Sequence, residues 1–337
     1  MRKSLIVAAS VLLAWATLHG VARAGEDAAA IEKALKDAHA KFQSVTEGKN
    51  ADYIPALAKV PSKLFGIALV TTDGKVYSAG DADSLFSIQS ISKVFTLARV
   101  IQDQGEAKIE DSVGVDATGQ VFNSIVAVEQ YRGHQMNSLV NPGAIATTGM
   151  VAGQTDAEKW GKIIETYNDF AGRKLAVNKE VYESEAATNQ RNQAIGALMY
   201  AYELIKDDPK MVTEVYTRQC SVNVSAKDLA QMAATLANGG QNPVTHKQVI
   251  DPKHVPGVLA VMATAGLYDD SGIWLYHVGL PGKSGVGGGI IAVAPGRFGI
   301  AAFSPPLDAA GNSVRAQRAI REVVDQLHAN LFASTPH

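Results

Sequence analysis

Strand-like apolar runs stand near both ends of this chain, and the long stretch between them is helical in character. Few architectures satisfy that order. Phe65-Gly66-Ile67-Ala68-Leu69-Val70-Thr71 reads as a strand, Thr72-Asp73-Gly74 as a turn and Lys75–Ala79 as the returning strand of a β-hairpin. Strands resume at His277–Leu280, Gly287–Ala294 and Phe298–Ser304, with Pro295-Gly296-Arg297 turning between the last two. From about 94 to 260 the pattern is helical, including Ala157–Tyr167, Gln193–Lys206 and Ala226–Ala237, the last closed by Asn238-Gly239-Gly240. Amphipathic helices are expected over about Glu26–Val45 and Val314–Phe332. One sheet must then be assembled from both chain ends around a helical insert, an α+β fold. The expected division is a sheet subdomain of about 25–90 and 261–337 and a helical subdomain of about 91–260.

The insert opens on the one Ser-x-x-Lys pair of the chain, Ser90 and Lys93 in Phe86-Ser87-Ile88-Gln89-Ser90-Ile91-Ser92-Lys93-Val94-Phe95. On a helix, positions i and i+3 share a face about 5–6 Å apart, so a hydroxyl and an amine stand side by side. A serine becomes a competent nucleophile only when a neighbouring base takes its proton. Such pairs are common on exposed helix surfaces, but this one has apolar flanks on both sides. Far downstream, Lys283-Ser284-Gly285 resembles the Lys-Thr-Gly that borders the active site of β-lactamases and penicillin-binding proteins. The order of the two motifs suggests serine acyl transfer on a β-lactamase/penicillin-binding-protein-like fold with an antiparallel sheet.

Several motifs lead nowhere. Gly282-Lys283-Ser284 ends like a phosphate loop, but the first glycine of that motif falls on His277 and a strand follows. Gly285-Val286-Gly287-Gly288-Gly289 also runs into a strand and makes no dinucleotide loop. The 8 histidines show no metal-ligand spacing, so no metal site is expected. Ser221-Val222-Asn223 matches the Ser-x-Asn of β-lactamases by letter and is read as a decoy. Cys220, the single cysteine, permits no intramolecular disulfide and reads as a small buried hydrophobe.

The start of the chain has the three parts of a secretory signal: Arg2 and Lys3, an apolar run from Leu5 to about Leu18, and Ala22-Arg23-Ala24. The run is shorter than the ~20 residues that span a bilayer. Cleavage after Ala24 and an exported, periplasmic or secreted protein are therefore expected, with no membrane partner afterwards. Loss of Arg2, Lys3 and Arg23 takes the 31 basic residues to 28 against 33 acidic ones, a formal charge of −5. A mildly acidic chain without basic clusters argues against nucleic acid as a partner.

From about Ala51 to the region of Arg315 the chain resembles the serine-dependent glutaminases, which hydrolyse L-glutamine to L-glutamate and ammonia. The resemblance rests on many stretches in order. They include Ala51-Asp52-Tyr53-Ile54-Pro55, Gln89-Ser90-x-x-Lys93, Val140-Asn141-x-Gly143-Ala144-Ile145, Ser184-Glu185 and Arg191-Asn192-x-Ala194-Ile195-Gly196. Gly266-Leu267-Tyr268-Asp269, His277–Val286 and Ser304-Pro305-Pro306-Leu307-Asp308 complete it. The resemblance implies Ser90 as nucleophile and Lys93, neutral at rest, as its base. It implies Tyr268 as a second proton-handling or substrate-contacting group and the Ser90 and Val286 N–H groups as oxyanion hole. Gln89 belongs to the same substrate-binding set. Asn141, Glu185, Asn192, Tyr216 and Tyr53 would grip the amino-acid head, Glu185 by a charge-assisted bond to the ammonium.

No cofactor is implied, and a homo-oligomer, dimer or tetramer, is. The family's Asn-Pro-x-x-Asn-Ala-Gly-Ala reads here Asn137-Ser138-Leu139-Val140-Asn141-Pro142-Gly143-Ala144, and Pro142 biases Asn141 toward extended backbone. Two alternatives use the same residues: a serine β-lactamase or D-alanyl peptidase, in which the Glu185 and Asn192 stretches have no role, and a non-catalytic glutamine-binding or sensor protein.

Overall fold

The structure, a computed structural model, describes residues 27–131 and 136–334. The signal-like segment 1–24 lies outside the described residues. An antiparallel five-stranded sheet runs in the order Val76–Gly80, Gly66–Thr71, Phe298–Phe303, Gly289–Ala294, Gly282–Gly285. The expected hairpin pairs Leu69 with Tyr77, and the C-terminal strand places Ile300 on the other side of Leu69. The two chain ends thus meet in the middle of the sheet.

Period two in these strands divides their side chains between two cores. Ile67, Leu69, Ile290, Ala292, Ile300 and Ala302 face Ile31 and Leu35 of the Ala28–Phe42 helix and Ile320 and Val323 of the Val314–Gln326 helix. Ala68, Val70, Ile291, Val293, Ala301 and Phe303 join the opposite core with Leu229 and Ala233 of the Ala226–Ala237 helix and Val94 and Phe95 of the Ser92–Gln104 helix. Both faces are covered, so the three central strands read as unbroken apolar runs. The Ala226–Ala237 helix falls within the 91–260 range yet lies on the sheet. Contact there is backbone to backbone: a Cβ on Gly299 would stand 2.1 Å from Ala234 N and 2.5 Å from Ala230 O.

A third core gathers Ile145, Ile195, Met199, Val212, Tyr216 and Cys220 from three helices, Asn141–Met150, Gln190–Ala201 and Pro209–Cys220. A small second sheet pairs Phe86–Ser87 and Ala176–Val177 with Val222–Val224 at the seam between sheet and helices.

The segment His277–Leu280 corrects one expectation. It is not a strand: Ser271–Val278 is helical, and Gly279 ends it at φ 70°, its N–H returning to Leu275 O at 2.9 Å. An apolar run this short fits either period, and the left-handed glycine decides for the helix. The strand that follows, Gly282–Gly285, contains the Lys-Ser-Gly triplet itself. Ser221-Val222-Asn223 is structural, with Ser221 Oγ donating to Thr217 O at 2.9 Å and Asn223 Oδ1 accepting from Asn178 Nδ2 at 3.1 Å.

Candidate active site

Ser90 sits in a single 3-10 turn, Gln89–Ile91, that leads directly into the Ser92–Gln104 helix. Two contacts fix that turn. Ile88 N–H donates to Val222 O at 2.8 Å, and Ser92 Oγ donates to Gln89 O at 2.6 Å. Gln89 has φ 49°, the left-handed region that a side chain with a Cβ rarely enters. Such an outlier is held only where its surroundings over-determine it, at about 1–3 kcal/mol. On the far side, Gly285 backs onto the same segment: a Cβ there would stand 2.8 Å from Ile88 O. The turn carrying Val286 is thereby brought beside Ser90, and both residues line one cavity of about 300 Å³.

Lys93, three residues on from Ser90, is 1% exposed. Its ammonium donates to Leu139 O at 3.3 Å and to Asn141 Oδ1 at 2.6 Å. Asn141 Oδ1 also accepts from Tyr216 OH at 3.2 Å, and Asn141 Nδ2 donates to Asn192 Oδ1 at 3.0 Å. Asn141, Tyr216 and Asn192 thus form one polar network with Lys93. Pro142 does not extend Asn141. The extended residue is Val140 (φ −93°, ψ 157°), and Asn141 is the first residue of the Asn141–Met150 helix. Proline is tolerated in a first helical turn, where its missing N–H has no partner to lose, and Asn141 N–H is held by Phe122 O at 2.7 Å.

Burial lowers the Lys93 amine to about 8, while Cys220 and Glu185 hold it up. With that value most molecules carry a charged Lys93 at pH 7 and a neutral one above pH 8, so the resting amine is only partly deprotonated. Glu185, on the Lys179–Ala186 helix, is buried with Gln89 Nε2 donating to its Oε2 at 3.2 Å. Burial pushes this carboxyl up to about 7, against the opposing pulls of the Gln89 bond and the Lys93 charge. A desolvated carboxylate with spare acceptor capacity suits an incoming ammonium.

Tyr268 opens a 3-10 turn at φ 57°, and its hydroxyl donates to Ser284 O at 3.3 Å. Burial raises the phenol to about 12, while a hydrogen bond with the Ser90 side chain pulls the other way. It is therefore a protonated neighbour of Ser90. Lys283, fully buried, donates to Gly266 O and Ser284 O at 2.8 Å each and stands 4.3 Å from the centroid of the Tyr268 ring. Its amine is depressed by burial first and by the like charge of Lys93 second.

The 300 Å³ cavity is lined by Tyr53, Gln89, Ser90, Asn141, Glu185, Asn192, Tyr216 and Val286. Lys93 and Tyr268 are not in the lining; Lys93 reaches it through its bond to Asn141. Tyr53 overhangs the mouth and is 55% exposed. Cys220 sits in the wall with its thiol pushed up to about 12 by burial, which suits a packing group and not a nucleophile.

Sequence reasoning missed three neighbours. Phe122 lies in an irregular stretch without periodicity and packs against Tyr268 with ring centroids 4.7 Å apart and the planes tilted by 41°. Arg191 lines the mouth, its Nε donating to Asn123 O at 2.9 Å. Lys283 was visible in its triplet, but nothing marked the direction of its side chain. Among the described residues no group of His, Cys, Asp and Glu is placed to hold a metal ion.

A family model described as glutaminase matches residues 48–332. A glutaminase of Colwellia psychrerythraea is 53% identical over 302 residues, covering 90% of this chain and 97% of that protein. A glutaminase of Mycobacterium ulcerans is 52% identical over 304 residues, with 90% and 95% covered. Among solved structures, a probable glutaminase named YbaS superposes with a TM-score of 0.90 at 48% identity, covering 91% of this chain and all of that one. A probable glutaminase from Bacillus subtilis, complexed with 6-diazo-5-oxo-L-norleucine, gives 0.82 at 28% identity, with 89% and 97% covered.

Proposed function

The chain belongs to the glutaminase family, with its β-lactamase-like fold, and hydrolyses L-glutamine to L-glutamate and ammonia; from that premise we propose that it works through an acyl-enzyme on Ser90. The observation that carries the proposal is the buried amine of Lys93, depressed to about 8, one helical turn from a serine at the wall of the cavity. Lys93 in its neutral form takes the Ser90 proton as Oγ attacks the side-chain carbonyl of glutamine. The backbone N–H groups of Ser90 and Val286 receive the oxyanion, each such donor being worth roughly 3–4 kcal/mol. Tyr268 or the protonated Lys93 gives a proton to the departing nitrogen, ammonia leaves, and water cleaves the γ-glutamyl ester.

At the other end of the substrate, Glu185 receives the ammonium. Asn192, Tyr216, Asn141 and Tyr53 serve the carboxylate and close the pocket, while Gln89 holds Glu185 in place. Export after cleavage at Ala24 and assembly as a homo-oligomer belong to the same reading, supported by the residue pattern of 1–24 and by the family resemblance.

The test is a diazo-ketone analogue of glutamine, 6-diazo-5-oxo-L-norleucine. Mass spectrometry of the treated protein is expected to place the adduct on Ser90, and Ser90→Ala to abolish both adduct and ammonia release. An adduct on Cys220 with an active Ser90→Ala enzyme would overturn the assignment.

A further inference from the structure

Lys93, Asn141 and Tyr216 stand on three separate helices, Ser92–Gln104, Asn141–Met150 and Pro209–Cys220, and a second polar layer ties the same three helices together. Thr96 is one turn on from Lys93, Gln219 one turn on from Tyr216, and Thr148 two turns on from Asn141. These residues meet. The Gln219 side-chain amide lies 2.9 Å from Thr96 Oγ1 and 3.4 Å from Thr148 Oγ1, and all three residues are buried. Tyr167, from the Asp156–Ala171 helix, closes the layer. Its hydroxyl stands 2.7 Å from Thr96 Oγ1 and donates to Ser92 O at 2.9 Å.

Counting protons fixes the direction of these bonds. Burial raises the Tyr167 phenol above its ordinary value, so it keeps its one proton, which goes to Ser92 O. Thr96 must then donate to Tyr167, because two hydroxyl oxygens this close need a proton between them. Thr148 has already given its proton to Ala144 O at 2.8 Å. Neither threonine has a second proton for a Gln219 carbonyl. With Oε1 turned toward them, Nε2 would also be buried with no acceptor among the described residues. Both conflicts disappear when the amide presents Nε2 to the threonines, an orientation that only the hydrogen-bond network can decide. Its two N–H groups then donate to Thr96 Oγ1 and Thr148 Oγ1. The orphan becomes a carbonyl oxygen, which is the more readily tolerated one.

We propose that Gln219 is a positioning residue for the reaction, its amide locking the helices of Lys93 and Asn141 to that of Tyr216. The inference rests on the reading of Lys93 as base. Gln219 is not in the lining of the 300 Å³ cavity, so it acts through the residues it aligns. What it maintains is the spacing about Asn141 Oδ1, which takes the Lys93 ammonium at 2.6 Å and the Tyr216 hydroxyl at 3.2 Å. The bond to Asn141 favours the charged amine. Helices that slip weaken it, the Lys93 value falls, and the acid limb of the pH–rate profile moves to lower pH. The titratable groups around Lys93 are Glu185, Cys220, Lys283 and Tyr216. Gln219, Thr96 and Thr148 carry no charge, so a limb that moves when they are changed reports displacement and not a removed charge.

The experiment measures ammonia release from glutamine against pH in the parent, in Gln219→Met, in Thr96→Val and in Thr148→Val, with thermal melts beside each. Gln219→Met keeps the bulk and removes both donors. Its kcat is expected to fall about tenfold, with the acid limb of kcat/KM displaced to lower pH by about half a unit or more. Each threonine variant keeps its shape and loses one hydroxyl, and should move the limb the same way by less. The two threonine variants carry the test if Gln219→Met does not fold. A kcat within about twofold of the parent in Gln219→Met overturns the proposal. So does a limb that stays in place or moves to higher pH, since a packing role would lower the melting point and leave the titration alone. Failure of the base reading looks different, because Lys93→Met would then still hydrolyse glutamine.

Discussion

Glu185 and Lys93 are both buried, both titrate within reach of neutral pH, and each holds the other in its charged form. Replacing Glu185 by Gln keeps the shape and removes the charge. The lost bond to a desolvated substrate ammonium predicts a fall in kcat/KM of order 2–3 kcal/mol. A second effect distinguishes charge from packing. In the proposed mechanism Lys93 acts when neutral, a form that dominates above its value of about 8 and is lost as pH falls through it. Without the Glu185 charge that value drops further, so the acid limb of the pH–rate profile should move to lower pH in Glu185→Gln. A limb that stays in place while kcat/KM falls would show that the two groups do not communicate. N-acetylglutamine, which has no ammonium, should be a poor substrate of the parent enzyme and gain nothing from Glu185.

At the level of elements, the layer that positions the site depends on a helix pressed against a strand. Gly299 has Ala234 N and Ala230 O where a side chain would begin, so the Ala226–Ala237 helix can approach only a residue without a Cβ. Gly299→Val is expected to push helix and sheet apart at a cost of several kcal/mol, at or beyond the roughly 1–3 kcal/mol of ordinary overpacking. Chemical denaturation should show a lower midpoint, and ammonia release from glutamine should fall with it. An unchanged midpoint would mean that the helix is free to shift.

The first hairpin strand and the C-terminal strands Gly289–Ala294 and Phe298–Phe303 were legible because both faces of the sheet are covered there, which leaves unbroken apolar runs. Ser90 and Lys93 were legible because three residues of spacing make neighbours on a helix. Glu185, Asn192 and Tyr216 arrive from three separate helices, and no local pattern could bring them together; the family resemblance did. The left-handed backbone at Gln89 and Tyr268 left no mark in the sequence, since neither is glycine and both conformations are imposed by packing from outside. His277–Leu280 misled for the opposite reason: so short an apolar run fits a strand or a helix equally, and only the backbone of Gly279 separates them.

Across the whole molecule, two buried amines have direct hydrogen-bond partners that are neutral oxygens: Leu139 O and Asn141 Oδ1 for Lys93, Gly266 O and Ser284 O for Lys283. Burying such amines costs stability, and the cost depends on pH. Lys93 titrates at about 8 in the folded protein and at its model value of 10.5 when unfolded. Below pH 8 both states bind the proton and the penalty is constant. Between about 8 and 10.5 the unfolded chain holds a proton that the folded one has released, so stability rises with pH until the penalty is gone. The span corresponds to about 3 kcal/mol at about 1.4 kcal/mol per unit. Lys93→Met removes this term, and its stability should therefore be flatter than the parent's across that window, with Lys283 contributing its share to both. At pH 7 the variant should be inactive and melt no lower than the parent, because a methionine in the same place needs no water. Urea denaturation of both proteins at intervals from pH 6 to 10 separates the possibilities. Parallel stability curves, or a Lys93→Met protein that melts several degrees lower at pH 7, would mean that the ammonium is a structural pin for Leu139 and Asn141, and the role of base would then pass to Tyr268.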